Sequence, residues 1–322
     1  MVTILSDRIR FLLGISRAPF LLLSLLCAVL GISAAVADAD AGVVGAGVVD
    51  ESGSPVWLAI LAVSAAVFAH ASVNAFNECA DFRSGLDLQT SRTPFSGGSG
   101  SLPAAPQYLA LAQVWAWLTF GITAAIGVYF LSLRGGLLAW LGATGLVLVI
   151  AYTPLINRFP WLCLIAPGVG FGPIMVVGSA IAVTGAAPPA SVWSAAIMGV
   201  LASGLLLANQ QPDARVDARF GRRHLTIVYG PVVARRILAC LWVMPLLILC
   251  TALAVGGLPP LAAVVGLPLL LACYNAWQLL GLSQDAVVPT ALLARNVQVC
   301  LITPACMIAV FFINWRYGLV CA

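Results

Sequence analysis

The sequence predicts an all-α integral membrane protein with nine transmembrane helices. Its 322 residues are 62% hydrophobic and 8% charged, and the mean hydropathy is +1.06. A soluble domain carries roughly 25% charged residues. This composition excludes a soluble globular enzyme, a disordered chain and a nucleic-acid-binding module. Apolar runs of span length and the distribution of arginines support the same fold class.

Apolar runs of about 20 residues, the length that crosses a bilayer as a helix, recur along the chain. Before the first of them, residues 1–17 are predicted to form an interfacial helix. Its aliphatic side chains share one helical face, and Arg8 and Arg10 lie on another. The predicted spans are 18–37, 56–77, 107–130, 136–152, 161–184, 191–210, 232–255, 259–282 and 295–315.

The arginines predict the orientation of these spans. All 15 basic residues are Arg, and a cytoplasmic N-terminus places every one except Arg134 and Arg316 on the cytoplasmic side. The long polar segments 78–106 and 211–230 then lie on that same face. Long, chemically dense loops commonly carry function. We therefore expect a single membrane-embedded domain over 1–322, with these two loops at the cell membrane's cytoplasmic face.

Acidic and amide side chains cluster at the start of both loops. The second span ends in HASVNAFNECADFRSGLD, where a helix that continues to Asp81 places Asn74, Asn77, Glu78 and Asp81 on one stripe. The sixth span ends in NQQPDARVDARFGRRHLTIVYG. There Asn209, Asp213 and Asp217 follow at intervals of four residues, and Pro212 is expected to kink the helix.

Clustered carboxylates at a membrane boundary need a compensating cation. One ionisable residue within a span costs on the order of 3 kcal/mol, and two like charges 4 Å apart repel by about 4 kcal/mol at an effective dielectric of 20. Oxygen ligands without Cys or His favour a hard cation such as Mg²⁺, which readily shares its coordination shell with substrate phosphates. Solvated carboxylates paired with nearby Arg would explain one such segment. Two segments on the same side of the membrane, both with Asn and Asp four residues apart, instead favour a Mg²⁺–diphosphate site.

These motifs resemble those of the UbiA superfamily of intramembrane prenyltransferases, with spacing closest to its naphthoate-prenylating branch. NECADFRSGLD is similar to the first aspartate-rich motif, NDxxD with a third Asp, except that Glu78 replaces the usual Asp. NQQPDARVDARFGRRHLTIVYG is similar to the second, NQxPDxxxDxxxGKRTLxVxxG, with Arg222 where Lys is common. The YTP run at 152–154 and FGPIMVVG at 171–178 are similar to a stretch across spans four and five.

The resemblance implies nine transmembrane helices around a central apolar cavity with a cytoplasmic cap. It also implies a Mg²⁺-dependent transferase that ionises an isoprenyl diphosphate and couples the allylic cation to a lipophilic acceptor, with an aromatic one favoured. The alternative on the same scaffold is a terpene cyclase, in which the substrate's own double bond attacks the cation. Membrane lipid is the remaining expected partner.

The resemblance further implies three groups of site residues. The expected catalytic residues are Asp81, Asp213 and Asp217. The expected metal ligands are Asn77, Asp81, Asp87, Asn209, Asp213 and Asp217. The diphosphate is expected at Arg92, Tyr152, Arg158, Arg222 and Arg223. Further candidates are Asn74, Glu78 and Arg17. Arg158 also fits a positive-inside anchor, and His70 fits either a packing residue or a contact to the acceptor.

The identity of the acceptor stays open. The naphthoate branch usually has a Gly-Glu pair at the start of the fifth span, and this chain reads PWLCLIAP there, without an acid. A divalent-cation or substrate transporter built from inverted repeats is a third interpretation. Transporter sites lie near the bilayer midplane, whereas both acidic clusters here lie at cytoplasmic helix ends, which favours the enzyme. The GGSG run at 97–100 lacks the GxxxxGK[ST] phosphate-loop pattern and is expected to form a flexible turn or lid hinge.

Overall fold

The computed structural model describes residues 2–40, 55–93, 95–283 and 286–317, and regular structure in this part of the chain is helical throughout. The helices of the first half are α1 (Val2–Ile15), α2 (Ala18–Asp40), α3 (Pro55–Ser84), α4 (Leu86–Gln89), α5 (Ser101–Ala104), α6 (Leu109–Arg134) and α7 (Gly136–Ala151). Those of the second half are α8 (Pro160–Val169), α9 (Gly178–Thr184), α10 (Pro189–Gln210), α11 (Ala214–Arg219), α12 (Leu225–Ala254), α13 (Gly266–Leu280) and α14 (Thr290–Tyr317).

The predicted fold class is confirmed. Within the described ranges, eight helices are long and apolar enough to cross a membrane, and α8 and α9 belong to one of them because a π-helical stretch, Gly170–Val177, joins them. The remaining predicted span, the fourth at 136–152, corresponds to α7, which is apolar but has only 16 residues. A helix of that length spans about 24 Å, somewhat less than the hydrocarbon core.

Helix α2 lies in the middle of the bundle and packs against α3, α9, α10, α14 and the π-helical stretch. The crossing with that stretch is very close. A Cβ atom on Gly31 would lie 1.9 Å from the carbonyl oxygen of Val176, so only glycine fits. Beyond α2, the main apolar core joins α10, α12, α13 and α14 around large buried side chains such as Ile197, Trp242 and Leu249.

A second region of the bundle is open rather than packed. Helices α3, α6, α7 and α10 and the α8–α9 span surround an apolar cavity. The π-helical stretch contains Pro173 and follows Pro167, and neither proline has a backbone N–H to continue an α-helical ladder. The widened turns bring Phe171, Ile174 and Met175 to the cavity wall.

The short helices α4, α5 and α11 cover one end of the bundle, which we call the acidic end because α3 and α10 deliver their acidic motifs there. Helix α3 continues past Asp81 to Ser84, as expected. The expectation of a kink at Pro212 is wrong: α10 ends at Gln210, a three-residue turn follows, and α11 starts anew at Ala214. Asp213 and Asp217 therefore do not continue the α10 face that carries Asn209.

Candidate active site

The two acidic motifs meet at the acidic end through Arg222. Its guanidinium donates hydrogen bonds from Nη2 to Asp81 Oδ1 at 2.6 Å and from Nη1 to Asp217 Oδ1 at 3.2 Å. Asp217 is 2% exposed and its second oxygen lies 3.2 Å from His224 Nε2. One partly buried cation from the second motif thus joins a carboxylate from each motif, although 136 residues separate these two acids in the sequence.

An apolar cavity of about 570 Å³ opens directly beneath this cluster. Asp81, Asp217 and Arg222 line its polar mouth. Along α3 the lining continues from Asp81 to Ala62, which is about 28 Å at a rise of about 1.5 Å per residue. The deeper wall is built mainly from Ala, Gly and Leu residues on α3, α7 and α9. The site therefore combines a charged head with a long apolar chamber.

Two oxygen atoms at the mouth have no hydrogen-bond partner among the described residues, namely Asp87 Oδ2 and Asn209 Oδ1. Burial raises the pKa of Asp87 to about 7, and repulsion by Glu78 and Asp81 adds to the shift. Burial likewise raises the pKa of Asp213 to about 6, with a further contribution from Asp217. Both shifts arise first from burial and then from neighbouring carboxylates, and a cation bound beside these acids would favour their ionised form.

The glycine-rich loop at 97–100 closes over the acidic motifs. Gly97 donates its N–H to Asp213 Oδ2 at 2.9 Å, and Ser99 donates its N–H to Glu78 Oε1 at 2.8 Å. Gly97 and Gly98 have φ of 86° and 73°, which glycine adopts without strain. A Cβ on Gly98 would lie 2.8 Å from Asp87 Oδ1, so the backbone lies directly against that carboxylate. Sequence reasoning treated this run as a simple turn or hinge.

The predicted site residues fall into two sets. Those that line the cavity are Arg17, Asn74, Asn77, Asp81, Asp87, Tyr152, Asn209, Asp217 and Arg222. Those outside its lining are Glu78, Arg92, Asp213, Arg158 and Arg223. The side chains of Arg92, Arg158 and Arg223 are exposed. The placement of Arg158 suits the positive-inside interpretation as well as a contact to a diphosphate.

The amide side chains of the first motif are held from two directions. Asn74 Nδ2 donates to the carbonyl oxygen of Ser16 at 2.9 Å, and Asn77 Nδ2 lies 3.5 Å from Thr153 Oγ1. The hydroxyl of Tyr152 lies 3.9 Å from Cys163 Sγ. These contacts tie α3 to the α1–α2 turn and to the segment after α7, and so fix the mouth of the cavity.

The donor set fits Mg²⁺ in its chemistry. Among the described residues, no three Asp, Glu, His or Cys side chains lie close enough together to hold a metal ion by themselves. Mg²⁺ keeps several waters and is commonly held by one or two carboxylates plus substrate phosphates. The unpartnered oxygens of Asp87 and Asn209 at the mouth match that requirement.

Sequence reasoning missed His224. It is 2% exposed, lines the cavity, and its Nδ1 has no hydrogen-bond partner among the described residues. The available signal was its position, because His224 stands where the second motif commonly has Thr. His70 has packing contacts: Nδ1 lies 2.6 Å from Ser24 Oγ, and the ring meets Phe171 edge-on at 5.2 Å. It also lines the cavity.

The fold and site define a multi-pass membrane protein with a charged head site above an apolar chamber. Residues 41–297 match the UbiA prenyltransferase family, and the chain belongs to that family. A curated relative is the 1,4-dihydroxy-2-naphthoate octaprenyltransferase of Bacillus subtilis (strain 168), 29% identical over 196 residues, which cover 55% of this chain and 58% of the relative. The chain thus matches less than two thirds of that relative's length.

Solved structures share the fold. A digeranylgeranylglyceryl phosphate synthase aligns with a TM-score of 0.66 and 12% identity over 95% of this chain and 99% of its own. A UbiA homologue from Aeropyrum pernix K1 aligns with a TM-score of 0.65 and 17% identity over 92% and 98%. A UbiA homologue from Archaeoglobus fulgidus bound to DMAPP and Mg²⁺ aligns with a TM-score of 0.61 and 14% identity over 94% and 99%.

Proposed function

We propose that this protein transfers an isoprenyl group from an isoprenyl diphosphate to a lipophilic acceptor in a Mg²⁺-dependent reaction. The observation that carries the proposal is the junction of Asp81 and Asp217 through Arg222 at the mouth of a long apolar cavity. An isoprenyl diphosphate has the same division into an anionic head and an apolar tail. The relative from Archaeoglobus fulgidus bound to DMAPP and Mg²⁺ supports this choice of ligand.

The head of the donor is assigned to the acidic end. Arg222 presents a planar guanidinium that can bind phosphate oxygens in a bidentate manner, and Arg17 lines the same mouth. Arg92 and Arg223 are exposed beside it and are assigned to the outer diphosphate oxygens. The residues assigned to hold Mg²⁺ are Asn77, Asp81, Asp87, Asn209, Asp213 and Asp217.

The chemistry that bound Mg²⁺ supplies is neutralisation of the charge that develops on the departing diphosphate. The remaining requirements fall to the chain itself. The apolar wall excludes water, which would otherwise add to an allylic cation. Phe171 and Tyr152 place aromatic rings on the lining, where their faces can stabilise a nearby positive charge.

The acceptor is assigned to the aromatic class. The named activity of the Bacillus subtilis relative, octaprenyl transfer to 1,4-dihydroxy-2-naphthoate, supports this class. An electron-rich aromatic carbon can attack the cation and then lose a proton, which restores the ring. The segment Pro160–Val169 has no acidic residue to contact such an acceptor, so this chain must orient it by other means.

The test is an incubation of purified protein in lipid nanodiscs with geranylgeranyl diphosphate, with and without 1,4-dihydroxy-2-naphthoate and simpler phenols. We expect diphosphate release and a prenylated product that need Mg²⁺, stop with EDTA and return when Mg²⁺ is restored. Asp81→Asn is the matched inactive control. Turnover that ignores chelation would contradict the metal role, and a cyclic hydrocarbon from donor alone would assign the chain as a terpene cyclase.

A further inference from the structure

Glu78 stands within the first acidic motif, but its contacts differ from those of the other acids. The residue is 0% exposed. Its Oε1 accepts hydrogen bonds from Arg17 Nε at 3.0 Å, from Arg17 Nη2 at 2.9 Å and from the Ser99 N–H at 2.8 Å. Its Oε2 accepts one from Ser99 Oγ at 2.8 Å. Both oxygens already have donors within the protein, three to Oε1 and one to Oε2, and Arg17 supplies the compensating positive charge.

Arg17, the cationic partner of Glu78, has an unusual backbone conformation. Within the described ranges, Arg17 is the one non-glycine residue with a positive φ, 51°, in the turn between α1 and α2. Such a conformation persists only where surrounding contacts enforce it. The turn is held by Asn74 Nδ2, which donates to the Ser16 carbonyl, and by Trp115 Nε1, which donates to Ser16 Oγ. The guanidinium of Arg17 is thereby aimed at Glu78.

The other partner, Ser99, belongs to the glycine-rich loop. That loop also donates the Gly97 N–H to Asp213 and places the Gly98 backbone against Asp87. The position of Ser99 therefore determines where the loop meets two of the acids assigned to the metal. Glu78 holds Ser99 through both its N–H and its hydroxyl, which fixes the loop in one register.

We propose that Glu78 is a positioning residue rather than a metal ligand. With Arg17 it holds the glycine-rich loop at 97–100, and this loop sets the positions of Asp213 and Asp87. The part of the inference that concerns the metal rests on the proposed function, whereas the hold on the loop does not. The α1–α2 turn thereby becomes part of the active-site architecture.

Two variants and one control test the proposal in the full chain in nanodiscs. Glu78→Gln keeps the shape of the side chain but removes its charge and turns an amide N–H₂ toward existing donors. Ser99→Ala removes the bond to Oε2, together with the local contacts of that hydroxyl to the Ser101 hydroxyl and N–H, and keeps the Ser99 N–H bond to Oε1. Ser132→Ala is the matched control, because within the described ranges that exposed hydroxyl bonds only the Tyr129 carbonyl of its own helix. The first readout is hydrogen–deuterium exchange of residues 95–101, and the second is Mn²⁺ binding followed by electron paramagnetic resonance.

We expect at least tenfold faster exchange of residues 95–101 in Glu78→Gln, a smaller increase in Ser99→Ala, and none in Ser132→Ala. Exchange in α10 should stay unchanged in all three. The affinity for Mn²⁺ should fall most in the variant whose loop exchanges fastest. If Glu78→Gln fails to fold, Ser99→Ala alone decides. Unchanged exchange of the loop would overturn the proposal, and so would lost Mn²⁺ binding with a fully protected loop, because Glu78 would then act as a direct ligand. Failure of prenyl transfer with these exchange results would overturn only the proposed function.

Discussion

The depth of the cavity predicts which isoprenoid chains the protein accepts. Gly142 lines the wall on α7, and a Cβ built there meets no atom within 4 Å, so a larger side chain would enter the cavity. Tyr152, at the mouth, lies ten residues further along the same helical run. At about 1.5 Å per residue, Gly142 lies about 15 Å below the head site, against about 28 Å for the full lining.

These lengths convert to isoprene units. Four carbon–carbon bonds of about 1.5 Å give roughly 5 Å for each extended unit. The open cavity therefore holds five to six units, and Gly142→Phe should leave room for about three. Forcing a fourth unit past the new ring costs about 1–3 kcal/mol by the measure of overpacked cores, which corresponds to a loss of about fivefold to 160-fold in kcat/KM.

The assay compares kcat/KM for geranyl, farnesyl, geranylgeranyl and hexaprenyl diphosphate in the wild type and in Gly142→Phe. We expect unchanged values for the two shorter donors and the calculated loss for the two longer ones. Gly121→Phe is the matched control, because Gly121 is exposed on α6, is equally free of neighbours and does not line the cavity. An equal response of all four donors to Gly142→Phe would refute the assignment of this cavity to the donor tail.

Three further predictions concern the charged head and the orientation. Arg222→Ala leaves the buried carboxylates of Asp81 and Asp217 without their shared cation, and we expect a loss of about 3–5 kcal/mol in thermal unfolding without Mg²⁺; an unchanged unfolding temperature would contradict the bridge. His224→Leu removes the donor to Asp217 Oδ2 and should cost about 1–3 kcal/mol, whereas His224→Gln should retain most of that stability because its amide can replace Nε2; equal losses would argue against this hydrogen bond. Trypsin added to sealed inside-out vesicles should cut within 78–106 or 211–230, and cleavage only from the opposite face would overturn the cytoplasmic orientation.

The sequence predicts the parts of this molecule that depend on local pattern. The spans follow from apolar runs of bilayer length, and the helical stripe from Asn74 to Asp81 follows from a 3.6-residue period. The pairing of two like motifs on one side of the membrane predicted their meeting, and Arg222 provides the contact between them.

Other features depend on contacts between distant residues, which local pattern does not encode. Glu78 looks like its acidic neighbours in the sequence, but Arg17, 61 residues away, gives it a different set of bonds. Pro212 permits either a kink or a helix end, and the turn to α11 decides between them. Two of the three bonds from the loop at 97–100 to the acids use backbone N–H groups, of which side-chain identity gives no sign.

The central claim is that segments 77–87 and 209–217 together hold one divalent cation and the diphosphate of an isoprenyl donor. An anomalous difference map from crystals with Mn²⁺ and a non-hydrolysable thio analogue of farnesyl diphosphate measures this most directly. We predict a Mn²⁺ peak at the acidic end with oxygen ligands from both segments and from the diphosphate, and the farnesyl tail extending toward Gly142. A peak bound by one segment alone, or a diphosphate outside the mouth of the cavity, would contradict the account.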